Sequence, residues 1–205
     1  MFSGIIEARG TIEKIDVQGT NKHFTIASPL SGQLHIDQSV SHNGVCLTVV
    51  ERDQHTHQVT AIRETLIRST LDQWEPGDTI NLERSITPAT LLDGHLVQGH
   101  VDAIGWCTKI EALQGSWEFT LKYPEEFAAL IVPKGSISID GTSLTVVDPD
   151  FNTFRVAIIP YTYAHTRMGS LKPGEPVNLE FDIIGKYFQR QLQVEGWRAK
   201  MQNVS

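Results

Sequence analysis

Ser39-Val40-Ser41-His42-Asn43-Gly44-Val45-Cys46-Leu47-Thr48-Val49-Val50 returns 97 residues later as Ser136-Ile137-Ser138-Ile139-Asp140-Gly141-Thr142-Ser143-Leu144-Thr145-Val146-Val147. An Asn-Gly or Asp-Gly pair between alternating arms is a strong signal for a two-residue hairpin, because a type I′ turn needs positive φ at both central positions. A two-residue turn fixes the pairing: His42 faces Val45, Ser41 faces Cys46, Val40 faces Leu47 and Ser39 faces Thr48. Side-chain alternation then gathers Ser39, Ser41, Cys46 and Thr48 on one face and sends Val40, Leu47 and Val49 to the other, toward a core. The second copy sorts in the same way, with Ser136, Ser138, Ser143 and Thr145 opposite Ile137 and Leu144. Small hydroxyls in both copies, with a thiol in the first alone, suit a flat heterocycle with a polyhydroxylated tail as well as they suit a solvated strand face.

The repeat extends outward from the hairpins. The same register carries Val59 onto Val156, Thr65 onto Thr162, Pro76-Gly77 onto Pro173-Gly174 and Asn81-Leu82-Glu83 onto Asn178-Leu179-Glu180. With a two-residue adjustment, Gly4, Ala8, Gly10, Lys14 and Ile15 align with Gly99, Ala103, Gly105, Lys109 and Ile110, so the second copy begins near His95. A period this long means duplicated domains rather than a solenoid. The expected division is 1–94, 95–182 and a tail, 183–205. Within the first half, turn-punctuated strands are expected at Ile5–Ile15, His23–Ser28, the two hairpin arms, Gln58–Arg63 and Thr79–Arg84, which predicts an all-β fold of two similar barrels. Short helical turns are expected at Glu64–Thr70 and Pro124–Ile131. Ile184, Tyr187, Phe188, Gln191, Leu192 and Val194 fall near one stripe at helical spacing, which predicts a C-terminal amphipathic helix from about Ile183 to Lys200.

Composition narrows the function. Of 205 residues, 40% are hydrophobic and 20% charged, as in an ordinary globular protein, and the formal charge of -7 without a Lys/Arg block argues against nucleic acid or a membrane surface as partner. Cys46 and Cys107 lack CxxC spacing and the N-terminus has no basic-then-apolar leader, which points to a cytoplasmic protein with reduced thiols. Dinucleotide, phosphate-loop and nucleophile-elbow motifs are missing, which disfavours a nucleotide-dependent redox enzyme. His100, in Gly99-His100-Val101-Asp102, is the best general acid/base candidate because imidazole titrates near neutrality. His95 and His100 are expected on opposite faces, so they do not form a zinc pair. His55 and His57 are read as surface residues of a polar loop. Cys107 is read as core, and Cys46 as a nucleophile or a small buried hydrophobe.

Met1-Phe2-Ser3-Gly4-Ile5-Ile6-Glu7, Asn43 through Val49, Gly94-His95-Leu96-Val97-Gln98-Gly99-His100-Val101-Asp102, and Lys134 through Val146 together resemble the riboflavin synthase family, over residues 1 to about 194. The resemblance implies two six-stranded Greek-key barrels, each holding one 6,7-dimethyl-8-ribityllumazine, and a homotrimer assembled through the C-terminal helices. It implies an active site between the N-terminal barrel of one subunit and the C-terminal barrel of its neighbour. The reaction implied is a dismutation in which one lumazine gives a four-carbon unit to the other, yielding riboflavin and 5-amino-6-ribitylaminouracil with no external cofactor. Lumazine synthase is the macromolecular partner it leaves open.

Carried over by position, the resemblance implies that Gly4, Ile5, Ile6, Cys46, Leu47, Thr48, Thr60, Ala61, Ile62, Arg63, Glu64 and Thr65 line the first barrel's pocket, bordered by Gly99, His100 and Val101. Ser143, Leu144, Thr145, Ile159, Pro160, Tyr161, Thr162, Tyr163 and Ala164, with Lys134, build the other pocket from the neighbouring chain. Phe2, Ser39, Cys46 and His100 match positions tied to catalysis, with His100 as proton carrier and Cys46 or Ser39 assisting addition. Asp93 and Ala103 depart from the glycines common at those positions. Two other readings stay open: a lumazine- or flavin-binding protein of the same fold that does no chemistry, and a flavin reductase, which the duplication and the missing nicotinamide domain disfavour.

Overall fold

The computed structural model describes the backbone of residues 1–202 and the side chains of residues 1–196; the end of the predicted tail, 203–205, lies outside them. The first half forms β1 (Ala8–Gln18), β2 (Asn21–Ala27), β3 (Ser39–His42), β4 (Val45–Arg52), β5 (Thr56–Ala61), a short helix α1 (Arg63–Arg68) and β6 (Thr79–Arg84). The second half repeats it as β7 (Ala103–Leu113), β8 (Ser116–Lys122), β9 (Ser136–Ile139), β10 (Thr142–Val147), β11 (Thr153–Ile158), α2 (Pro160–His165) and β12 (Pro176–Phe181). Each set closes into a six-stranded antiparallel barrel, in the orders β1-β2-β5-β4-β3-β6 and β10-β11-β8-β7-β12-β9. Closure leaves neither sheet with an exposed edge.

The two-residue adjustment falls between β2 and β3: Ala27 to Ser39 in the first half corresponds to Lys122 to Ser136 in the second. Even the strand irregularities repeat, between Ile12 and Lys14 in β1 and between Cys107 and Lys109 in β7. The expected hairpin registers hold in full, Ser39 opposite Thr48 through His42 opposite Val45, and Thr145 opposite Ser136 through Thr142 opposite Ile139. Asn43 and Gly44 take φ of 46° and 80°, and Asp140 and Gly141 take 45° and 80°, the paired left-handed conformations of a type I′ turn.

The faces sort as alternation requires. Val40, Leu47 and Val49 are buried in the first core with Phe24, Ile26, Val59 and Leu82, while Ile137, Val146, Phe154 and Leu179 occupy the second. Each such side chain contributes roughly 1.5–3 kcal/mol by leaving water. Cys107 lies in the second core, where burial pushes its thiol up to about 11 and leaves it inert. Ala103, at the start of β7, is likewise buried.

The barrels are joined about a local twofold. Its centre is marked by the two hairpin tips, where a Cβ placed on Gly44 would lie 2.7 Å from the Gly141 amide nitrogen and one on Gly141 2.8 Å from that of Gly44. Asn81 and Asn178 lock the tips crosswise. Asn81 donates from Nδ2 to the Asp140 carbonyl and Asn178 donates from Nδ2 to the Asn43 carbonyl, at 2.9 and 2.8 Å. Their Oδ1 atoms accept from the amides of Arg167 and Thr70. One ion pair, Arg167 to Asp140 at 2.5 Å, has no counterpart, because the matching positions are Thr70 and Asn43.

Two expectations are corrected. His57 is not a surface loop residue: it sits in β5, 1% exposed, with its Nδ1 2.8 Å from Ser31 Oγ and its Nε2 3.0 Å from the Nε2 of the equally buried His42. Its side chain points inward because β5 alternates, and a hydrogen-bonded partner on β3 makes that burial tolerable. His55 is exposed, as read from the sequence. The strand expected from Ile5 begins only at Ala8, because Ile5 to Glu7 carry the chain across from the other barrel. At the C-terminus the predicted helix is α3 (Ile183–Gln202), held by Asp182 at its start and by a 2.5 Å ion pair from Lys186 to Asp102.

Candidate active site

The polar faces of the two hairpins are each crossed by a segment that leads into the opposite barrel. Ahead of β7, Gly99 lies on the first hairpin: the Cys46 amide donates to the Gly99 carbonyl at 2.9 Å. Ahead of β1, Gly4 lies on the second: the Ser143 amide donates to the Gly4 carbonyl at 2.8 Å. Both glycines have positive φ, 81° and 78°, and a Cβ on either would sit within 2.6 Å of the Cβ of Cys46 or Ser143, so the close approach requires glycine.

A buried carboxylate from the segment's own barrel secures each crossing. Glu83 accepts from the Ser3 amide, the Ser3 hydroxyl and the Gly4 amide at 2.7, 2.7 and 3.0 Å. Glu180 accepts from the amides of Gln98, Gly99 and His100 at 2.6, 2.9 and 2.9 Å. Burial pushes both carboxyls up, and the donated hydrogen bonds oppose it. The repeated Asn-Leu-Glu triplet thereby acquires a full account: the Asn ties the barrels together, the Leu fills the core and the Glu clamps the crossing.

These crossings assemble a groove of about 230 Å³ on the first barrel, lined by Val45, Cys46, Glu64, Thr65, Arg68, Ser69, Gly99, His100 and Val101. The Cys46 thiol is partly exposed and makes no side-chain hydrogen bond among the described residues, and His100 is exposed beside it. Arg68 and Ser69 were not anticipated; the repeat register, which pairs them with His165 and Thr166, was the available signal. A larger cavity of about 560 Å³ opens beside Ser3, Ile5 and the exposed Arg84–Glu7 ion pair, but neither Cys46 nor Ser143 reaches it.

The matches with known proteins agree with the duplication. The family model described as the lumazine binding domain matches residues 3–85 and again 98–182. Riboflavin synthase of Actinobacillus pleuropneumoniae is 40% identical over 94% of this chain and 90% of its own. Riboflavin synthase of Mycobacterium bovis is 40% identical over 96% and 100%, and that of Schizosaccharomyces pombe 36% identical over 98% and 100%. The chain belongs to the riboflavin synthase family. A solved structure of LumP complexed with riboflavin matches with a TM-score of 0.83 over 88% of this chain and 99% of that one, and LumP complexed with 6,7-dimethyl-8-(1'-D-ribityl) lumazine with 0.80. At 22% identity these two speak for the fold.

Against the positions implied by membership in the riboflavin synthase family, several residues come together and others do not. Cys46, Glu64, Thr65, Gly99, His100 and Val101 share the first groove, with Thr48 exposed on the same hairpin face. Gly4, Ile5 and Ile6 are not part of that groove: Gly4 lies on the second hairpin beside Ser143, Ile5 lines the larger cavity with Glu7 and Arg84, and in the repeat Ile5 and Ile6 match His100 and Val101. Leu47 and Ala61 are buried in the core, and Thr60 turns its hydroxyl to His23 Nδ1 at 2.8 Å. Arg63 and Ile62 are exposed at the start of α1. Phe2 is wholly buried, paired through its backbone with Val97 and touching the Gly99 position, so it holds the crossing and offers no atom to the groove.

On the second barrel, Ser143 and Leu144 are partly buried and Thr145 is exposed. Ile159, Pro160, Tyr161 and Ala164 are exposed about α2, whereas Tyr163 stacks on Trp117 at 3.8 Å. Lys134 is exposed in a left-handed loop position, matching Asp37 in the first half. Ser39 remains half-buried at the far end of the polar face of β3. His95 and His100 serve different hairpins: His95 is buried against Ser143 and His100 stands beside Cys46.

Proposed function

We propose that this chain is a riboflavin synthase that dismutates two molecules of 6,7-dimethyl-8-ribityllumazine, moving a four-carbon unit from one to the other to leave riboflavin and 5-amino-6-ribitylaminouracil. The observation that carries the reading is the pair of matching hairpin faces, each roofed by the other barrel's leading segment, with unlike reactive groups at corresponding positions. A reaction between two identical molecules needs two similar sites and unequal treatment of their occupants. Donor and acceptor being the same compound, the electron balance closes without a cofactor. In this reading His100 carries the proton, Cys46 or Ser39 assists addition, and Phe2 acts by holding Gly99. Placing the two rings in contact supplies much of the rate, since effective molarities of well-oriented groups reach about 10⁵–10⁸ M.

The first groove, at about 230 Å³, is smaller than the ~300–1,000 Å³ of a typical small-molecule site, which favours a site completed by another subunit. The apolar side of α3 favours assembly too: Ile184, Tyr187, Phe188 and Leu192 are all exposed in the single chain. With family membership added, we take the assembly to be the homotrimer that the resemblance implies, located in the cytoplasm, with the working division 1–94, 95–182 and 183–205, and leave lumazine synthase as an open partner.

Complementation tests both chemistry and assembly. One variant, Cys46→Phe with Thr48→Phe, blocks the first barrel's site; another, Ser143→Phe with Thr145→Phe, blocks the second. Each alone is expected to be nearly inactive with the lumazine as sole substrate. Reassembled together, mixed trimers set the intact first barrel of one variant against the intact second barrel of the other, and riboflavin formation returns. No gain despite mixed trimers proven by mass would remove the intersubunit site. Intact wild-type protein that binds the lumazine without forming riboflavin would leave a passive binder.

A further inference from the structure

His95 is the one group at the second hairpin whose chemistry the proposed function leaves unused. It lies in the segment leading into the second barrel, with its amide donating to the Ser3 carbonyl at 3.1 Å. Its side chain is 8% exposed, and its Nδ1 lies 2.7 Å from Ser143 Oγ. The other ring nitrogen, Nε2, is buried with no hydrogen-bond partner among the described residues. Gly94 permits this packing, since a Cβ there would fall 2.9 Å from Ser143 Oγ and 2.1 Å from the Ser3 carbonyl oxygen.

A neutral imidazole carries one N–H, and the two placements differ in cost. With the proton on Nε2, a buried donor is left unpaired. With the proton on Nδ1, that donor is paired and Nε2 is a bare acceptor, the less costly kind of orphan. Burial also holds the ring's pKa below its ordinary value, against the opposing pull of Asp182, so the doubly protonated ring is disfavoured as well. The same logic decides what Ser143 does. A hydroxyl that accepts from Nδ1 keeps its own proton for something else.

We propose that His95 is a positioning residue that donates from Nδ1 to Ser143 and thereby presents the Ser143 hydroxyl as a donor to an acceptor atom, a carbonyl oxygen or ring nitrogen, on the lumazine in the second site. The inference rests on the proposed function for the identity of that ligand. It separates the two sites chemically. Cys46, the residue matched to Ser143, has no such partner and offers a weak donor free to rotate, while Ser143 is fixed in one sense.

Two measurements on the full-length protein test it. Nitrogen-15 NMR of histidine-labelled protein reads the tautomer without any ligand: His95 is expected to carry its proton on Nδ1, and a proton on Nε2 overturns the proposal. Binding is then read by fluorescence titration with the lumazine and with riboflavin. His95→Asn keeps a donor at the Nδ1 position and is expected to bind within about twofold of wild type, whereas His95→Gln, which mimics Nε2, and Ser143→Ala each weaken second-site binding about tenfold, the worth of one hydrogen bond. Adding Ser143→Ala to His95→Gln is expected to cost nothing more. Independent, multiplying losses, or equal losses for Asn and Gln in proteins of equal thermal stability, overturn it. If wild type binds no lumazine, the proposed function falls and the ligand part of this inference with it, while the NMR result still decides the tautomer.

Discussion

The buried histidine pair should make the first barrel the acid-sensitive half of the molecule. His42 Nδ1 lies 3.0 Å from the Val40 carbonyl, which accepts only, so that nitrogen carries the His42 proton. His42 Nε2 must then accept from His57 Nε2, and His57 Nδ1 must accept from Ser31. Both rings are neutral in this chain of bonds; a proton added to His42 opposes two N–H groups 3.0 Å apart inside the core, and one added to His57 goes to Nδ1, where the Ser31 hydroxyl must turn from donor to acceptor and a charge is left buried. Burial holds His57 at about 4 and His42, next to it, well below the ordinary histidine value. The unfolded chain takes up these protons near 6.5. The stabilisation is therefore intact above pH 6.5 and is lost as pH falls from there toward 4.

For His57 alone the loss at pH 5 is about 2 kcal/mol, with His42 adding in the same direction. The second barrel is the comparison: it lacks the pair, because Ile139 and Phe154 stand where His42 and His57 stand in the first, and its buried histidine, His95, lies on the segment leading into it. Hydrogen exchange read by mass spectrometry, corrected for the intrinsic pH dependence, should show protection of β1 to β6 falling about 30-fold or more relative to β7 to β12 between pH 7.5 and 5. His42→Ile and His57→Phe, borrowing the second barrel's own residues, should narrow that gap. A constant ratio between the two barrels, or a gap that survives both substitutions, would refute the reasoning.

The hairpin tips and α3 give two more expectations. Gly44→Ala places a Cβ in a left-handed residue 2.7 Å from backbone of the other barrel, and should cost roughly 1–3 kcal/mol in urea titration, whereas Gly77→Ala, also left-handed but with open space around it, should cost less. Equal costs would mean that the tip contact contributes nothing. Removing the chain from Ile184 onward takes away the exposed Tyr187, Phe188 and Leu192 and should lower the assembly state in analytical ultracentrifugation; an unchanged trimer would move the interface to the barrels.

The fold was legible because its deciding information is local and repeated. Asn43-Gly44 and Asp140-Gly141 fix turn type, turn type fixes register, and register sorts Cys46 from Leu47 without reference to anything distant. What the sequence concealed is non-local. Nothing near Gly4 reveals that its carbonyl meets Ser143, 139 positions away in the chain, and so Gly4 was expected to share the groove of Cys46. His57 was misread for a related reason: its neighbours Asp53, Gln54 and His55 are polar, while the partners that make its burial tolerable, Ser31 and His42, lie on other elements. The role of Asn81 and Asn178 was visible as a repeated match, but a repeated residue does not say which barrel it serves.

The same comparison between halves shows what duplication leaves constant and what it lets diverge. Residues that hold the scaffold keep their identity: Asn81 with Asn178, Glu83 with Glu180, Gly4 with Gly99, Gly44 with Gly141. Residues that line the first groove do not keep theirs: Cys46 pairs with Ser143, His100 with Ile5, Glu64 with Tyr161, Arg68 with His165. A symmetric scaffold accounts for bringing two copies of one compound into like surroundings, but identical surroundings would leave no reason for the four-carbon unit to move one way rather than the other. In the proposed reaction the direction must come from the diverged side chains. The groove with His100 and Cys46 has an imidazole and a thiol, and at the matching positions the other half has Ile5 and the Ser143 hydroxyl. Exchanging His100→Ile together with Ile5→His would move the imidazole between sites on an unchanged frame, and so would separate the contribution of placement from that of direction.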